Sequence, residues 1–186
     1  GFLSGYIGTA DVQKALDFLE ANRGQHGLCL IKFGDWNDSL TAIGKEGRGE
    51  SIWLSMAYAE ALREMKVLYE ELGKEATATL MEDRYQSIRE AVNRHAWDGQ
   101  WYVRCFDDEG LPIGSASNKQ GRIFLNAQSW ALISGIATPE RAEACIQSAD
   151  ELLATTMGYR LLAPTFMEPE DRIGRISCLE PGICEN

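Results

Sequence analysis

The sequence predicts a mainly α-helical chain built of αα-hairpins, arranged as a toroid or a bundle. Two observations lead to this prediction. Apolar side chains recur at helical spacing through most of the chain, and two long periodic segments are separated by only a few residues. The longer loops carry polar and aromatic residues, so we expect a functional site at the loop end of the helices.

A first helix is predicted to begin with Thr9 as its N-cap and to stop at Gly24. Its buried face follows the i, i+3, i+4, i+7 pattern and comprises Val12, Ala15, Leu16 and Leu19. An apolar run over residues 28–33 comes next. This run leads directly into an acidic loop at residues 34–38.

Two long helices follow the loops. Over residues 50–72 the apolar stripe comprises Leu54, Tyr58, Ala61, Met65, Leu68 and Leu72, and Gly73 closes the helix. A second helix from about Lys74 to His95 has a predicted stripe of Leu80, Ile88 and Val92. Because the connection between them is short, the two helices must form an antiparallel hairpin.

A short β insertion interrupts the helical pattern. Asp98-Gly99, between Trp97 and residues 101–106, indicates a small β-hairpin or an extended strand, and residues 107–110 indicate the next turn. Two further helices are predicted, one over residues 125–136 and one that begins at Thr138-Pro139. The chain from Met157 onward is predicted to be irregular.

Composition and charge exclude several classes of protein. The 186 residues carry a formal net charge of -10 at pH 7, which would repel a nucleic acid. No apolar stretch approaches the roughly 18 residues of a membrane span, and the charges in the first twenty residues argue against a signal peptide. The five cysteines are widely spaced without a C-x-x-C pair, which favours a reducing cytoplasm over a disulfide framework or a zinc cluster.

The ends of the sequence indicate a piece of a longer protein. It begins at Gly1 without an initiator methionine and stops at residues 181–186, a Pro/Gly turn with no visible terminating element. We therefore expect missing neighbours on both sides, so that residues 1–186 form a single segment of a larger domain.

The acidic loop at residues 34–38 carries the main candidates for chemistry. Asp38 is the candidate general acid, Trp36 could stack on a pyranose, and Asp35 and Asn37 could bind its hydroxyls. To stay protonated near neutral pH, Asp38 would need apolar surroundings or a neighbouring carboxylate, which Trp36 and Asp35 could supply. The alternative is an Asx-turn, in which the polar side chains bond their own backbone and the tryptophan fills the core.

A glycine-rich segment precedes the long helix. Gly44, Gly47 and Gly49 could let the backbone approach a ligand at the N-terminus of the helix that starts near Glu50, where free N–H groups favour an anion or a sugar oxygen. The alternative is a flexible connection without a ligand. The spacing does not match a Walker loop.

The remaining candidates are an amide and two histidines. Gln128 is a candidate for binding substrate, whereas core packing explains the nearby Trp130. His26 and His95 lack partners at ligand spacing. No zinc site and no Ser-His-Asp triad are therefore predicted.

Four segments occur in a fixed order along the chain: residues 26–38 (HGLCLIKFGDWND), 47–54 (GRGESIWL), 121–130 (GRIFLNAQSW) and 181–186 (PGICEN). Together they resemble the inverting disaccharide phosphorylases of glycoside hydrolase family 94, which include cellobiose, laminaribiose and chitobiose phosphorylases. The resemblance spans nearly the whole chain. One departure is Cys184, since members often have lysine before the Glu-Asn pair.

The resemblance implies an (α/α)6 barrel and a cytoplasmic homodimer that uses neither a metal nor an organic cofactor. It assigns Asp38 as the general acid and places Trp36 and Glu185 in the sugar site. Inorganic phosphate, the co-substrate, would attack the anomeric carbon of a β-glucoside opposite the leaving sugar and give α-glucose 1-phosphate with inversion. The segment would lack part of the phosphate site and is not expected to turn over alone.

Two other functions remain open from the sequence. One is an inverting glycoside hydrolase on a similar barrel, which needs a base carboxylate among Glu168, Glu170, Asp171 or Glu180. The other is a non-catalytic sugar-binding or assembly segment, in which Asp38 only accepts hydrogen bonds. Phosphate dependence distinguishes the first, and the effect of Asp38→Asn distinguishes the second.

Overall fold

The computed structural model describes residues 8–32 and 34–186. Within these ranges the chain forms five α-helices: α1 (Thr9–Ala21), α2 (Ile52–Glu71), α3 (Glu75–His95), α4 (Leu125–Ile133) and α5 (Pro139–Leu152). The mainly helical class predicted from the sequence is confirmed. Phe33, the last residue of the predicted apolar run, lies outside the described residues.

α2 and α3 form the predicted hairpin. They pack against each other more extensively than any other pair of elements and are joined by three residues, of which Gly73 adopts a positive φ of 68°. Their shared core contains fully buried side chains: Met56, Leu62, Met81, Ile88 and Val92. This hairpin is the centre of the largest apolar cluster of the chain's described part.

The predicted stripe of α3 is wrong at Leu80. That side chain is 42% exposed, whereas the buried face runs through Met81, Tyr85, Ile88 and Val92. These four positions follow the i, i+4, i+7, i+11 spacing of one helix face, and a shift of one residue rotates a side chain by about 100°. Leu68 of α2 and Leu72, the residue that follows the helix, are likewise exposed.

The helix starts agree with the sequence except at the first helix. Thr138 caps α5 by accepting a hydrogen bond from the Arg141 amide (3.4 Å), and Pro139 occupies the first turn, as predicted. α1 already includes Thr9. The preceding Gly8 occupies the N-cap position, and its carbonyl accepts from two amides of the first turn (2.9 and 3.3 Å).

Short strands tie the helices together. β1 (Glu50–Ser51), β2 (Cys105–Phe106) and β3 (Pro112–Ile113) form an antiparallel sheet, which confirms the predicted insertion and its turn. Further pairs are β4 (Ile123–Phe124) with β7 (Leu162–Ala163), and β5 (Ala154–Thr155) with β6 (Gly158–Tyr159). The tail therefore contains two short strands and a 3-10 turn (Arg175–Cys178) within otherwise irregular chain. β7 forms because it pairs with β4, and the sequence of the tail alone does not predict this pairing.

All five cysteines are free thiols. In the described ranges no helix is long and apolar enough to cross a membrane. Nor do the described residues place three or more potential ligands together in a way that could hold a metal ion.

Packing of the α2–α3 hairpin predicts a large effect for Met81→Ala. Met81 is fully buried, so the truncation leaves a cavity and should lower the free energy of unfolding by about 2–5 kcal/mol. Chemical denaturation of the full-length protein measures this change. Glu90→Ala, at an exposed position of the same helix, is the matched control and should stay within about 0.5 kcal/mol of the wild type; equal losses in both variants would contradict the packing argument.

Candidate active site

The acidic loop contains an Asx-turn but does not bury its tryptophan. The Asn37 amide donates to Asp35 Oδ1 (2.9 Å), as the structural alternative for this loop predicted. Trp36, however, is 53% exposed, so it does not fill the core as that alternative required. The turn therefore presents the indole to the outside.

A buried arginine organises the loop. Arg104 directly precedes β2, and its side chain is fully buried. The guanidinium forms an ion pair with Asp35, donates to Asn37 Oδ1 from Nε (3.2 Å) and Nη2 (2.9 Å), and donates from Nη1 to Ser51 Oγ (3.2 Å). Its donors match a planar array of oxygen acceptors, which is the arrangement that guanidinium groups bind best.

The Asp35 carboxylate is therefore buried and paired within the protein. Its side chain is 1% exposed, it pairs with Arg104, and it also accepts a hydrogen bond from Ser51 Oγ (2.9 Å). The arginine offsets its charge, so it does not act as the unpaired negative neighbour that Asp38 was expected to have. Direct sugar binding by Asp35 stays a prediction, and the contacts observed in this structure are those of a structural anchor.

Asp38 faces outward at the end of the loop. It is exposed and contributes to the wall of a depression of about 280 Å³, together with Lys32, Leu40 and Thr41. Among the described residues its carboxylate has no hydrogen-bond or ion-pair partner. The Asp38 carboxylate is therefore open to contact from a ligand.

Three tryptophans from different parts of the chain meet beside the loop. The Trp36 and Trp53 ring centroids are 6.1 Å apart, and Trp130 packs edge-on against Trp53 at 5.9 Å. Trp53 and Trp130 are partly buried and support the exposed Trp36 from below. The result is an exposed indole face on a rigid base, which suits stacking with the apolar face of a sugar.

Glu185 contacts the chain directly after the acidic loop. The Ser39 hydroxyl, one residue after Asp38, donates to the Glu185 carboxylate. The next residue, Asn186, fixes this end of the chain through bonds to the Phe166 backbone (2.7 and 2.9 Å). This contact brings Glu185 to the residue that follows Asp38, although 146 residues separate Ser39 from Glu185.

Gln128 lies behind the site rather than in it. It is buried in α4, where it donates to the carbonyls of Tyr102 (2.8 Å) and Phe124 (3.0 Å) and accepts from the Tyr102 amide (3.0 Å). Its hydrogen-bonding groups thus have partners within the protein, and substrate binding by Gln128 stays a prediction. The amide of this helix that reaches the loop is Asn126, whose Nδ2 lies 3.3 Å from Asn37 Oδ1.

The glycine-rich segment binds an internal carboxylate. Asp108 accepts hydrogen bonds from the backbone amides of Glu46 (2.8 Å), Arg48 (2.8 Å) and Gly49 (2.9 Å). Burial alone would raise the pKa of Asp108, but these amides hold its pKa below the usual value of 3.8. The three amides are thus already paired within the chain. Gly49 also passes so close to the Ile43 carbonyl that a Cβ would lie 2.2 Å away.

The two histidines pack together next to a buried glutamate. His26 Nδ1 lies 2.5 Å from Glu50 Oε2, and the His26 and His95 rings are 5.1 Å apart. Burial and the neighbouring His26 lower the pKa of His95. Glu50 also accepts from the His26 and Leu28 amides (both 3.1 Å). The cluster joins the turn after α1 to β1.

A helical segment that presents an exposed tryptophan beside an open aspartate is suited to binding a sugar, because the indole can stack on the ring and the carboxylate can bond to hydroxyl groups. The chain belongs to the glycosyl hydrolase 94 superfamily, because the family model of its catalytic domain matches residues 10–186. The predicted family is therefore confirmed, and the helices form part of the α/α barrel of this family.

Two similar relatives come from Paenibacillus borealis. The chain is 43% identical over 172 residues to a 3-O-beta-D-glucopyranosyl-beta-D-glucuronide phosphorylase and 41% identical over 173 residues to a solabiose phosphorylase. Each match covers 92% of this chain and 22% of the relative. The chain thus spans less than a quarter of the length of these relatives.

A solved structure shares the fold. The chain resembles a rhamnosidase of glycoside hydrolase family 78 from Bacillus sp. GL1 with a TM-score of 0.61, over 76% of this chain and 14% of that chain. The sequence identity is 19%, so this likeness concerns the fold alone.

The pairing of Asp108 predicts a pH-dependent effect for Asp108→Asn. Because folding lowers the pKa of this group, its contribution is present above pH 3.8 and is lost as the pH falls through the lower pKa of the folded state. The variant should be less stable at pH 7 by about 1–3 kcal/mol. Denaturation of the full-length protein at several pH values should show the difference shrinking below about pH 4, whereas exposed Glu109→Gln should show little change at any pH. A pH-independent difference would contradict this account.

Proposed function

We propose that the full-length protein catalyses inverting phosphorolysis of a β-linked glucosyl disaccharide or oligosaccharide. Inorganic phosphate is the second substrate, and the products are α-glucose 1-phosphate and a released sugar. The observation that carries the proposal is the open carboxylate of Asp38 beside the exposed indole of Trp36, in a chain of this family. The names of both Paenibacillus relatives describe phosphorylases, which supports the same reaction class.

The proposed reaction needs one acidic group from this segment. Asp38 donates its proton to the glycosidic oxygen while the bond from that oxygen to the anomeric carbon breaks, and the sugar leaves as an alcohol. A phosphate oxygen forms the new bond from the opposite face, which inverts the configuration. An inverting hydrolase requires a second carboxylate to activate water, whereas phosphate is already an anionic nucleophile.

The other site residues would bind the sugar. Trp36 stacks on the pyranose ring. Asn37, next to Asp38 in the chain, and Glu185, which contacts Ser39, bind hydroxyl groups. Asp35 and Gln128 complete the proposed binding set, although both are buried. The proposed enzyme is a cytoplasmic homodimer without a metal or an organic cofactor, a part of the proposal that rests on the family resemblance.

The deciding experiment uses the full-length protein with and without inorganic phosphate. The panel contains cellobiose, laminaribiose, chitobiose, solabiose and a glucosyl glucuronide, and both sugar 1-phosphate and free sugar are measured. We expect sugar 1-phosphate only when phosphate is present, with the α configuration by NMR. Free glucose without phosphate would favour the hydrolase, and would direct attention to Glu168, Glu170, Asp171 and Glu180 as bases.

Asp38→Asn tests the assignment of the acid. Loss of the proton donor should lower kcat by roughly 10²–10⁴-fold, while disaccharide binding changes little. Asp83→Asn removes an exposed carboxylate on α3 and should leave kcat unchanged. Unchanged turnover in Asp38→Asn would refute the assignment, and sugar binding without any turnover in the wild type would favour a non-catalytic segment.

A further inference from the structure

We propose that Arg104 is a positioning residue for proton transfer by Asp38, an inference that rests on the proposed function. Arg104 would not touch the sugar. It binds the side chains of Asp35 and Asn37, one on each side of Trp36, and Asn37 directly precedes Asp38. A single guanidinium thus holds the loop segment that carries both the stacking residue and the acid.

The position of Asp38 depends on the contacts of Arg104, because the Asp38 side chain forms no bond of its own within the described part of the chain. In residues 8–32 and 34–186 no group bonds to the Asp38 carboxylate, so the backbone of the loop sets its position. Proton transfer requires the acid within hydrogen-bond distance of the leaving oxygen, and a displacement of about 1 Å can cost roughly 100-fold in rate. The residue that fixes the loop therefore controls the proton donor.

The guanidinium also orients the neighbouring amide. Nε and Nη2 of Arg104 both donate to Asn37 Oδ1, and Asn126 Nδ2 approaches the same oxygen (3.3 Å). A guanidinium has no acceptor, so Asn37 must turn its oxygen toward Arg104 and its amino group away. The amide next to Asp38 thus cannot flip without losing these bonds.

Arg104 is itself held by the three-stranded sheet. Its amide donates to the Ile113 carbonyl (2.7 Å), and its carbonyl accepts from the Ile52 amide at the start of α2 (3.2 Å). Gly114, at a positive φ of 87°, approaches so closely that a Cβ there would lie 2.6 Å from the Arg104 nitrogen. Backbone hydrogen bonds at the edge of the sheet, next to β2, therefore support the residue that anchors the site.

Ser51 links the same unit to α2. Its hydroxyl donates to Asp35 Oδ2 (2.9 Å) and accepts from Arg104 Nη1 (3.2 Å) and from the Leu54 amide (3.2 Å), where it caps the helix. A hydroxyl has one donor and two acceptor positions, and these three bonds use all of them. The loop, the strand and the helix start thus share one set of bonds.

The test separates proton donation from binding by means of the leaving group. In the full-length enzyme, kcat and KM are measured with phosphate for the preferred disaccharide and for β-glucosyl fluoride. Fluoride departs as an anion when the carbon–fluorine bond breaks, so its departure needs no proton from Asp38. Arg104→Lys keeps the charge but loses the planar fork, and we expect kcat on the disaccharide to fall roughly 10–100-fold while kcat on the fluoride changes little. Because Trp36 lies in the same loop segment, any rise in KM should be similar for both substrates.

Three further variants of the enzyme complete the experiment. Asp38→Asn should show the same selective loss, since it removes the proton donor itself. Arg141→Lys should leave kcat unchanged for both substrates, because Arg141 bonds to Asn93 and not to the loop. Ser51→Ala removes the hydroxyl that bonds to both Asp35 and Arg104 but keeps the ion pair, and it should show a smaller selective loss of kcat on the disaccharide if Arg104→Lys misfolds.

The outcomes distinguish failure of the positioning role of Arg104 from failure of the proposed function. Equal losses of kcat on both substrates in a folded Arg104 variant, or in Ser51→Ala if Arg104→Lys misfolds, or no loss on either, would overturn the positioning role and leave the phosphorylase assignment intact. A wild-type enzyme that forms no sugar phosphate from the panel or from β-glucosyl fluoride would instead refute the proposed function.

Discussion

The buried ion pair between Arg104 and Asp35 is the interaction on which the site depends. Removing two charges from water is costly, and the pair is tolerated only where further hydrogen bonds satisfy both groups. Asn37 and Ser51 supply those bonds in this chain. Because loss of one partner from such a pair typically costs about 3–5 kcal/mol, the loop, the sheet and the start of α2 are stable only together. Asp38 lies at the open edge of this unit.

Local sequence signals were sufficient for most of the helical fold. The α2–α3 hairpin was predictable because its apolar periodicity is long and its connection short, and the α5 start because Thr138-Pro139 is a direct capping signal. The error at Leu80 has a simple cause: several apolar residues flank the true stripe, and only packing selects which of them face the partner. Pairing of β4 with β7 depends on residues far apart and left no local signal.

Only some residues of the candidate site could be predicted from the sequence. The loop around Asp38 could be identified because it concentrates acidic and aromatic residues, and the grouping with Glu185 came from the order of family-like segments. Arg104 could not be found, since it stands in the apolar stretch WYVRCF and meets Asp35 across 69 residues. In the Asn126-Ala127-Gln128 segment, composition alone did not single out Asn126, which the helix rotation brings to Asn37, and substrate binding by Gln128 stays a prediction.

The bond between Ser39 and Glu185 has a consequence for how the protein is made. Its partners stand 146 residues apart, whereas the contacts of the α2–α3 hairpin are close in sequence. Closing long loops costs entropy before the contact is gained, so local pairs form earlier than distant ones. A nascent chain emerging from the ribosome can build the hairpin early, but it cannot complete the loop of Asp38 until Glu185 has been synthesised.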